Sequence, residues 1–266
     1  MQAALATTGM TRPVASLIPF QAEAVVTGAG CGECVLGKLC LPRIFTGLSP
    51  DSMRGHLNNL VRQNKALLRR KETLFRQGHE FEALFVVRTG AVKSVMVDES
   101  GAEHITGFHL PGDVVGLDGI STGRYATTAI ALDTTSICTL PFAMLEKVAS
   151  QVPDLQRHVF RIMAEEIQKD QQMMLTLGHR TAEQRMAAFL LRLSQHFQHR
   201  HLAADSFQLP MSRGDIGNYL GLAVETVCRI LTRFQKAGLL NTNGRGVSDL
   251  DLAGLQAMLS APAREI

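Results

Sequence analysis

The chain is expected to be an α+β protein: an N-terminal antiparallel β-roll, a long helix, and a C-terminal winged helix-turn-helix. Three features predict this. Short β-rich runs broken by glycine fill the region from about Asn64 to Pro141. Apolar residues then recur at alternating spacings of three and four after Pro153. Near the C-terminus, two helical patterns are joined by Gly221-Leu222.

Length and composition bound the reading. The 266 residues suggest two domains at roughly 100–200 residues each. With 45% apolar and 19% charged residues, the chain can bury proper cores and is not compositionally disordered. It has no Trp and two Tyr, which argues against aromatic stacking on single-stranded nucleic acid. The net charge of +3 is unevenly spread: Thr176–Val247 holds nine Arg and Lys against four Asp and Glu. Such segregation fits a polyanionic partner for the C-terminal part. No apolar run reaches the ~18 residues of a transmembrane helix. The N-terminus lacks a basic segment followed by an apolar one. A cytoplasmic protein without a membrane partner is expected.

Residues 1–30 carry only Arg12 and Glu23 as charges and are expected to form a flexible arm. A cysteine segment and the roll follow over 31–150. Leu84-Phe85-Val86-Val87 and Ala91–Val97 are strand-like, and glycines such as Gly78, Gly90, Gly101 and Gly112 mark turns between short strands.

The long helix is expected over 151–178. Pro153 suits a first helical turn. Phe160, Met163, Ile167, Asp170, Met174 and Leu177 then occupy the a and d positions of a coiled coil. At 1.5 Å per residue the helix would be roughly 40 Å long. Packing on its own core is the alternative, but the intervening positions Glu165, Glu166, Gln168, Lys169, Gln171 and Gln172 are strongly polar, which favours a seam between two copies. Asp170 breaks that seam. Across a two-fold axis it would meet its own copy, and like charges repel unless one takes a proton. Such a residue suits a switchable dimer, unless it turns to solvent.

Residues 179–266 are assigned to the winged helix-turn-helix. Ser212 is placed to cap a helix, with Asp215 three residues on to complete a capping box. Ile216, Tyr219 and Leu220 form its apolar face, and Gly221-Leu222 makes the turn. The second helix buries Val227, Ile230, Leu231 and Phe234, and presents Glu225, Cys228, Arg229 and Arg233. A recognition helix needs this division. Arg can donate two hydrogen bonds to guanine and Glu can accept from cytosine, so Glu225 and Arg229, one turn apart, could read neighbouring bases of double-stranded DNA. Asn241–Val247 reads as a small wing. Arg213, Arg233, Lys236 and Arg245 are candidates for phosphate contact. An ordinary helical hairpin with a solvated charged face is the bland alternative.

Cys31, Cys34 and Cys40 form a C-x2-C-x5-C array, and Cys138 lies in a strand-like run far downstream. In a long chain this reads as metal or redox chemistry rather than a disulfide framework. Four thiolates can bind zinc or an iron–sulfur cluster. Three clustered cysteines with one remote favour the cluster. Cys138 alone reads equally well as a small buried apolar residue.

These motifs together resemble the CRP/FNR family of bacterial regulators, and within it the oxygen-sensing fumarate-and-nitrate-reduction branch. The resemblance rests on the cysteine array followed by Leu41-Pro42, and on His104-Ile105-Thr106-Gly107-Phe108-His109-Leu110. Ala182–Phe189 and Arg213–Leu222 carry it further. It implies a cyclic-nucleotide-binding-like jelly roll and a [4Fe–4S] cluster on Cys31, Cys34, Cys40 and Cys138. It implies a homodimer when the cluster is intact, anaerobic binding to a TTGAT-type inverted repeat, and activation or repression through RNA polymerase. Asp170 matches the family's aspartate that opposes dimerisation, and Ile167 a seam partner. The loop Asp98–Gly101 resembles a polymerase-contacting surface. Two positions on the reading helix depart from the branch: Cys228 replaces a serine and Ala223 a threonine. Cysteine is the poorer donor, and Ala223 forfeits a cap worth about 1 kcal/mol. Val35 also replaces a serine beside Cys34.

A cyclic nucleotide is not expected, because Leu117 stands where the nucleotide-binding branch has a glutamate and Arg124 lacks its serine partner. A zinc-stabilised regulator without sensing is a second alternative. An enzyme is not expected. His196, His199 and His201 lie at the polar end of a helix and read as solvated, and no nucleophile, base and oxyanion group gather in any motif.

Overall fold

The computed structural model describes residues 65–200 and 202–260, so the 1–30 arm and Cys31, Cys34 and Cys40 lie outside the described residues. The roll contains β1 (Lys65–Leu68), β2 (Thr73–Phe75), β3 (Ala83–Thr89), β4 (Val92–Val97), β5 (Glu103–His109), β6 (Val114–Val115), β7 (Thr128–Ala131) and β8 (Thr135–Pro141). They form two sheets, ordered β1-β8-β3-β6 and β2-β7-β4-β5, with antiparallel neighbours throughout. Between the sheets, Phe75, Val87, Val92, Ala129 and Ile137 form one core. The ring of Tyr125 stacks on Phe75 at 3.8 Å between centroids.

Strands β3 and β8 are buried on both faces, which erases the simple two-residue alternation of burial. Their outer face is covered by α1 (Phe142–Ala149) and the start of α2 (Pro153–His179). Leu84, Val86, Cys138 and Leu140 pack there against Leu145, Val148 and Leu155. Leu155 is the one buried residue of α2. Pro153 occupies the first turn, where its missing N–H costs no helical bond.

Helix α3 (Ala182–His199) begins at a capping box: Gln184 N donates to Thr181 Oγ1 at 3.3 Å, and Thr181 N to Gln184 Oε1 at 3.1 Å. The C-terminal unit follows as β9 (Phe207–Gln208), α4 (Arg213–Leu220), α5 (Val224–Lys236), β10 (Asn241–Asn243), β11 (Gly246–Ser248) and α6 (Leu252–Ser260). The wing sheet is ordered β10-β11-β9. One core spans both units, joining Val95, Ile105 and Leu110 of the roll to Met186 and Leu190 of α3 and to Ile216 and Phe234 beyond.

His196 departs from the expected solvated helix end. Its side chain is 15% exposed, with Nδ1 3.7 Å from Asp113 Oδ2. Arg200 donates to the same carboxylate and to Pro111 O. These contacts fasten α3 to the roll. Burial outweighs Asp113 and pushes the His196 imidazole down to about 4. His109, partly buried and 2.8 Å from Ser94 Oγ, is shifted the same way by burial. In the unfolded chain a histidine titrates near ~6.5. Stabilisation from holding these rings neutral is therefore complete above about pH 6.5 and is lost as acid protonates the unfolded form, ending for His196 near pH 4. Urea unfolding should show stability falling between these limits, and His196→Gln should remove about 1–3 kcal/mol of that fall. Equal pH slopes in both proteins would refute the assignment.

Candidate nucleic-acid interface

The geometry of the two C-terminal helices follows from local chemistry. Ser212 Oγ accepts from Asp215 N at 3.1 Å, and Asp215 Oδ2 accepts from Ser212 N at 2.9 Å, which completes the capping box of α4. Gly221 ends α4 with φ 64°, a left-handed conformation that suits glycine. Leu222 N then bonds back to Gly217 O at 2.8 Å. A Cβ on Gly217 would lie 2.6 Å from Leu222 O, so this tight turn requires glycine there.

Helix α5 turns Val227, Ile230, Leu231 and Phe234 inward. Glu225, Cys228 and Arg229 are exposed on a common stripe. Arg229 Nη2 donates to Thr226 Oγ1 at 3.1 Å, which holds the guanidinium along the helix. Ala223 at the N-cap supplies no side-chain bond. Exposed Arg233 pairs with Glu183 at the start of α3. Arg245 Nη1 donates to Pro210 O at 3.3 Å, and Lys236 is exposed. Arg213 stands apart from this stripe. It is half-buried, and its Nη2 donates to Gly244 O in the wing turn at 3.0 Å. Its guanidinium braces α4 against the wing.

The seam residues of α2 project from a single chain with little cover. Phe160, Ile167 and Met174 are 59%, 58% and 65% exposed. Asp170 is exposed beside them, and partial burial, then the Glu166 charge, raise its carboxyl above the ordinary range. Ile167, Asp170 and Met174 also line a cavity of about 630 Å³ between α2 and the roll, with Ile105 and Leu117 opposite.

Cys138 sits on the outer face of β8, in the core that holds Leu155. Its Cα partner on the edge strand is Lys65, the first residue of β1. Lys65 is also the first described residue of the chain. Cys228 is far away on α5, outside this core.

Several positioning residues escaped the sequence reading. Arg185 donates to Leu177 O at 2.7 Å, Arg180 O at 3.0 Å and Leu220 O at 3.1 Å, tying the ends of α2 and α4 together. Asn218 and Lys93 join the helix-turn-helix to the roll. Their partners lie more than a hundred residues away, so no local pattern announces them.

Gly217→Ala should lower the melting temperature and reduce duplex DNA binding at least tenfold, because the α4–α5 turn must open to admit the methyl group. The loss corresponds to about 1.4 kcal/mol or more. Wild-type melting and binding in this variant would contradict the turn geometry.

Comparison with known proteins agrees with this architecture. Residues 66–152 match the family described as "Cyclic nucleotide-binding domain", and residues 184–258 match "Crp-like helix-turn-helix domain". The chain is 48% identical over 230 residues to "Transcriptional activator protein FnrA" of Stutzerimonas stutzeri, covering 86% of this chain and 92% of that protein. It is 41% identical over 218 residues to "Fumarate and nitrate reduction regulatory protein" of Salmonella typhimurium, covering 82% and 85%. Among solved structures, FixK2 from Bradyrhizobium japonicum aligns with a TM-score of 0.68 at 34% identity, covering 75% of this chain and 98% of that one. With a β-roll, a helix-turn-helix that leaves its reading stripe exposed, and relatives of this identity over most of its length, the chain belongs to the CRP/FNR family of transcription regulators.

Proposed function

We propose that the chain is an oxygen-responsive transcription regulator. In this reading a [4Fe–4S] cluster on Cys31, Cys34, Cys40 and Cys138 favours a homodimer. The dimer binds a TTGAT-type inverted repeat under anaerobic conditions and activates or represses genes of anaerobic metabolism. The observation that carries the reading is the shared core of Cys138 and Leu155, which packs one ligand against the buried anchor of the seam helix. The name of the Salmonella relative, a fumarate and nitrate reduction regulator, points the same way.

The described residues fit such a group. A thiolate is disfavoured in apolar surroundings unless a metal or cation neutralises it, and Cys138 lies in an apolar core, paired across the sheet with Lys65. When bound, the cluster would supply an iron–sulfur centre that oxygen can oxidise. The protein's own contribution is mechanical. Cys138 on β8 shares its core with Leu145, Val148 and Leu155, so a group held at Cys138 would bear on the α1–α2 corner. The α2 seams of two copies then cover Phe160, Ile167 and Met174. Asp170 meets its counterpart across the axis, and the repulsion keeps the dimer marginal.

In the dimer, each α5 offers Arg229 to guanine and Glu225 to cytosine, with Cys228 between them as a weak donor. Arg233, Lys236 and Arg245 are the phosphate contacts of this reading. The turn Asp98–Gly101 suits a contact with RNA polymerase. Asp98 accepts from Ser100 N at 2.8 Å and Ala102 N at 3.0 Å, and bonds from Ser100 and His104 hold its carboxyl well below the usual range. Cyclic nucleotide is excluded from this reading. Arg124 donates instead to Gly78 O at 2.7 Å, and Leu117 is an apolar residue on a short 3-10 turn.

Two experiments test the reading. Cys138→Ala, purified without oxygen, should lose iron, sulfide and the brown colour of the wild type, together with operator binding. Retention of the cluster would remove Cys138 from the ligand set, and stoichiometric zinc in the colourless wild type would sink the proposal. Asp170→Ala should tighten dimerisation in air by about tenfold or more, since relief of one like-charge pair exceeds 1.4 kcal/mol. Sedimentation showing an unchanged monomer fraction would count against the switch.

A further inference from the structure

The first helix of the helix-turn-helix is seated on the roll through contacts that base reading does not need. Strand β5 is the outer strand of its sheet, so its free side offers unpaired backbone groups. The Asn218 carboxamide takes them. Its Oδ1 accepts from Ile105 N at 2.7 Å, and its Nδ2 donates to Glu103 O at 2.7 Å. One side chain of α4 thus makes the two bonds that a neighbouring strand would make.

Three residues earlier, Asp215 Oδ1 accepts from Lys93 Nζ on β4 at 2.7 Å, with both side chains 18% exposed. The other carboxylate oxygen caps α4. Behind these pegs, Tyr219 meets Phe108 at 5.0 Å between centroids. None of these groups belongs to the stripe Glu225, Cys228 and Arg229.

We propose that Asn218 and Lys93 are positioning residues for operator binding: they set the distance and angle between the two recognition helices and so make the dimer selective for one spacing of half-sites. The inference rests on the dimeric reading above. Apolar packing alone tolerates sliding, whereas hydrogen bonds weaken steeply when misaligned. The connection from α2 to α3 is only two residues, Arg180 and Thr181, and without the pegs it serves as a hinge. With them, the ordering cost is met before DNA arrives. A two-fold dimer must place its recognition helices about one helical turn of DNA apart, roughly 34–36 Å. A domain that rocks on its hinge meets neighbouring spacings more readily and the best spacing less well.

The test uses full-length protein purified anaerobically, with duplexes whose two TTGAT half-sites are separated by spacers varied one base pair at a time. Asn218→Ala and Lys93→Met should each weaken binding to the best spacer about tenfold and weaken adjacent spacers much less, flattening the profile. Lys93→Arg should keep the wild-type profile. Base preference within a half-site should stay unchanged in all three, which separates positioning from general damage to the reading helix. If Asn218→Ala fails to fold, Lys93→Met against Lys93→Arg carries the test alone. A sharp wild-type profile reproduced by Lys93→Met overturns the proposal. A flat wild-type profile removes the dimeric reading, and the proposal with it.

Discussion

Three aromatic rings hold the two units in one relation. Phe108 comes from the roll, Phe189 from α3 and Tyr219 from α4, with centroids 5.0 to 6.1 Å apart. Arg192 lies 5.2 Å from the Tyr219 ring centroid and caps the group with a cation–π contact. Aromatic pairs contribute about 0.5–1.5 kcal/mol each beyond their buried area. The larger consequence is topological. The same rings belong to the one core that joins the roll to the helix-turn-helix, so α4 cannot swing away without opening it. A continuous core of this kind disfavours control by large rearrangement within one chain. It leaves association between chains as the softer coordinate, which is where the exposed seam of α2 lies.

What the sequence disclosed follows the range of each interaction. The α4 capping box was legible because Ser212 and Asp215 are three residues apart. The recognition helix was legible because its periodicity is local and its buried stripe strongly apolar. The apolar spacing along α2 was legible for the same reason, and the structure leaves Phe160, Ile167 and Met174 exposed. Arg213 was read as a phosphate contact because nothing nearby shows that Gly244, 31 residues on, holds its guanidinium. His196 was read as solvated because Asp113 and the roll are remote in sequence. Cys138 was placed in a strand, but its face could not be read. Strand β8 is buried on both sides and carries no clean alternation. Its three companions lie outside the described residues.

The exposed stripe of α5 is held in place by residues outside it. Gly217 and Gly221 let the chain turn within a van der Waals contact of itself, and this fixes the angle between α4 and α5. Arg213 braces the wing, and Arg185 joins the carbonyl ends of α2 and α4, where a cation also meets the negative ends of both helix dipoles. Against this rigid frame, Ala223 is a weak point, since α5 starts without a side-chain cap. In the proposed reading, directional discrimination falls to Glu225 and Arg229. The thiol of Cys228 is a weak donor and contributes mainly shape.

In the proposed dimer, seam and pegs would act on different factors of one binding constant. A single helix-turn-helix grips a half-site weakly, and a second joined copy raises affinity only as far as its effective concentration at the other half-site allows. Whether the second copy is present depends on the seam. Burying a large apolar side chain contributes about 1.5–3 kcal/mol, and Asp170 opposes that gain on the same face. How high the effective concentration rises depends on how narrowly the second α5 is held, which is set by Asn218, Lys93 and the aromatic triangle. A seam of modest strength therefore suffices, because rigidity multiplies whatever dimer forms. The same rigidity lowers the dimer concentration needed to occupy the operator. Weak association joined to stiff presentation is what a reversible regulator requires.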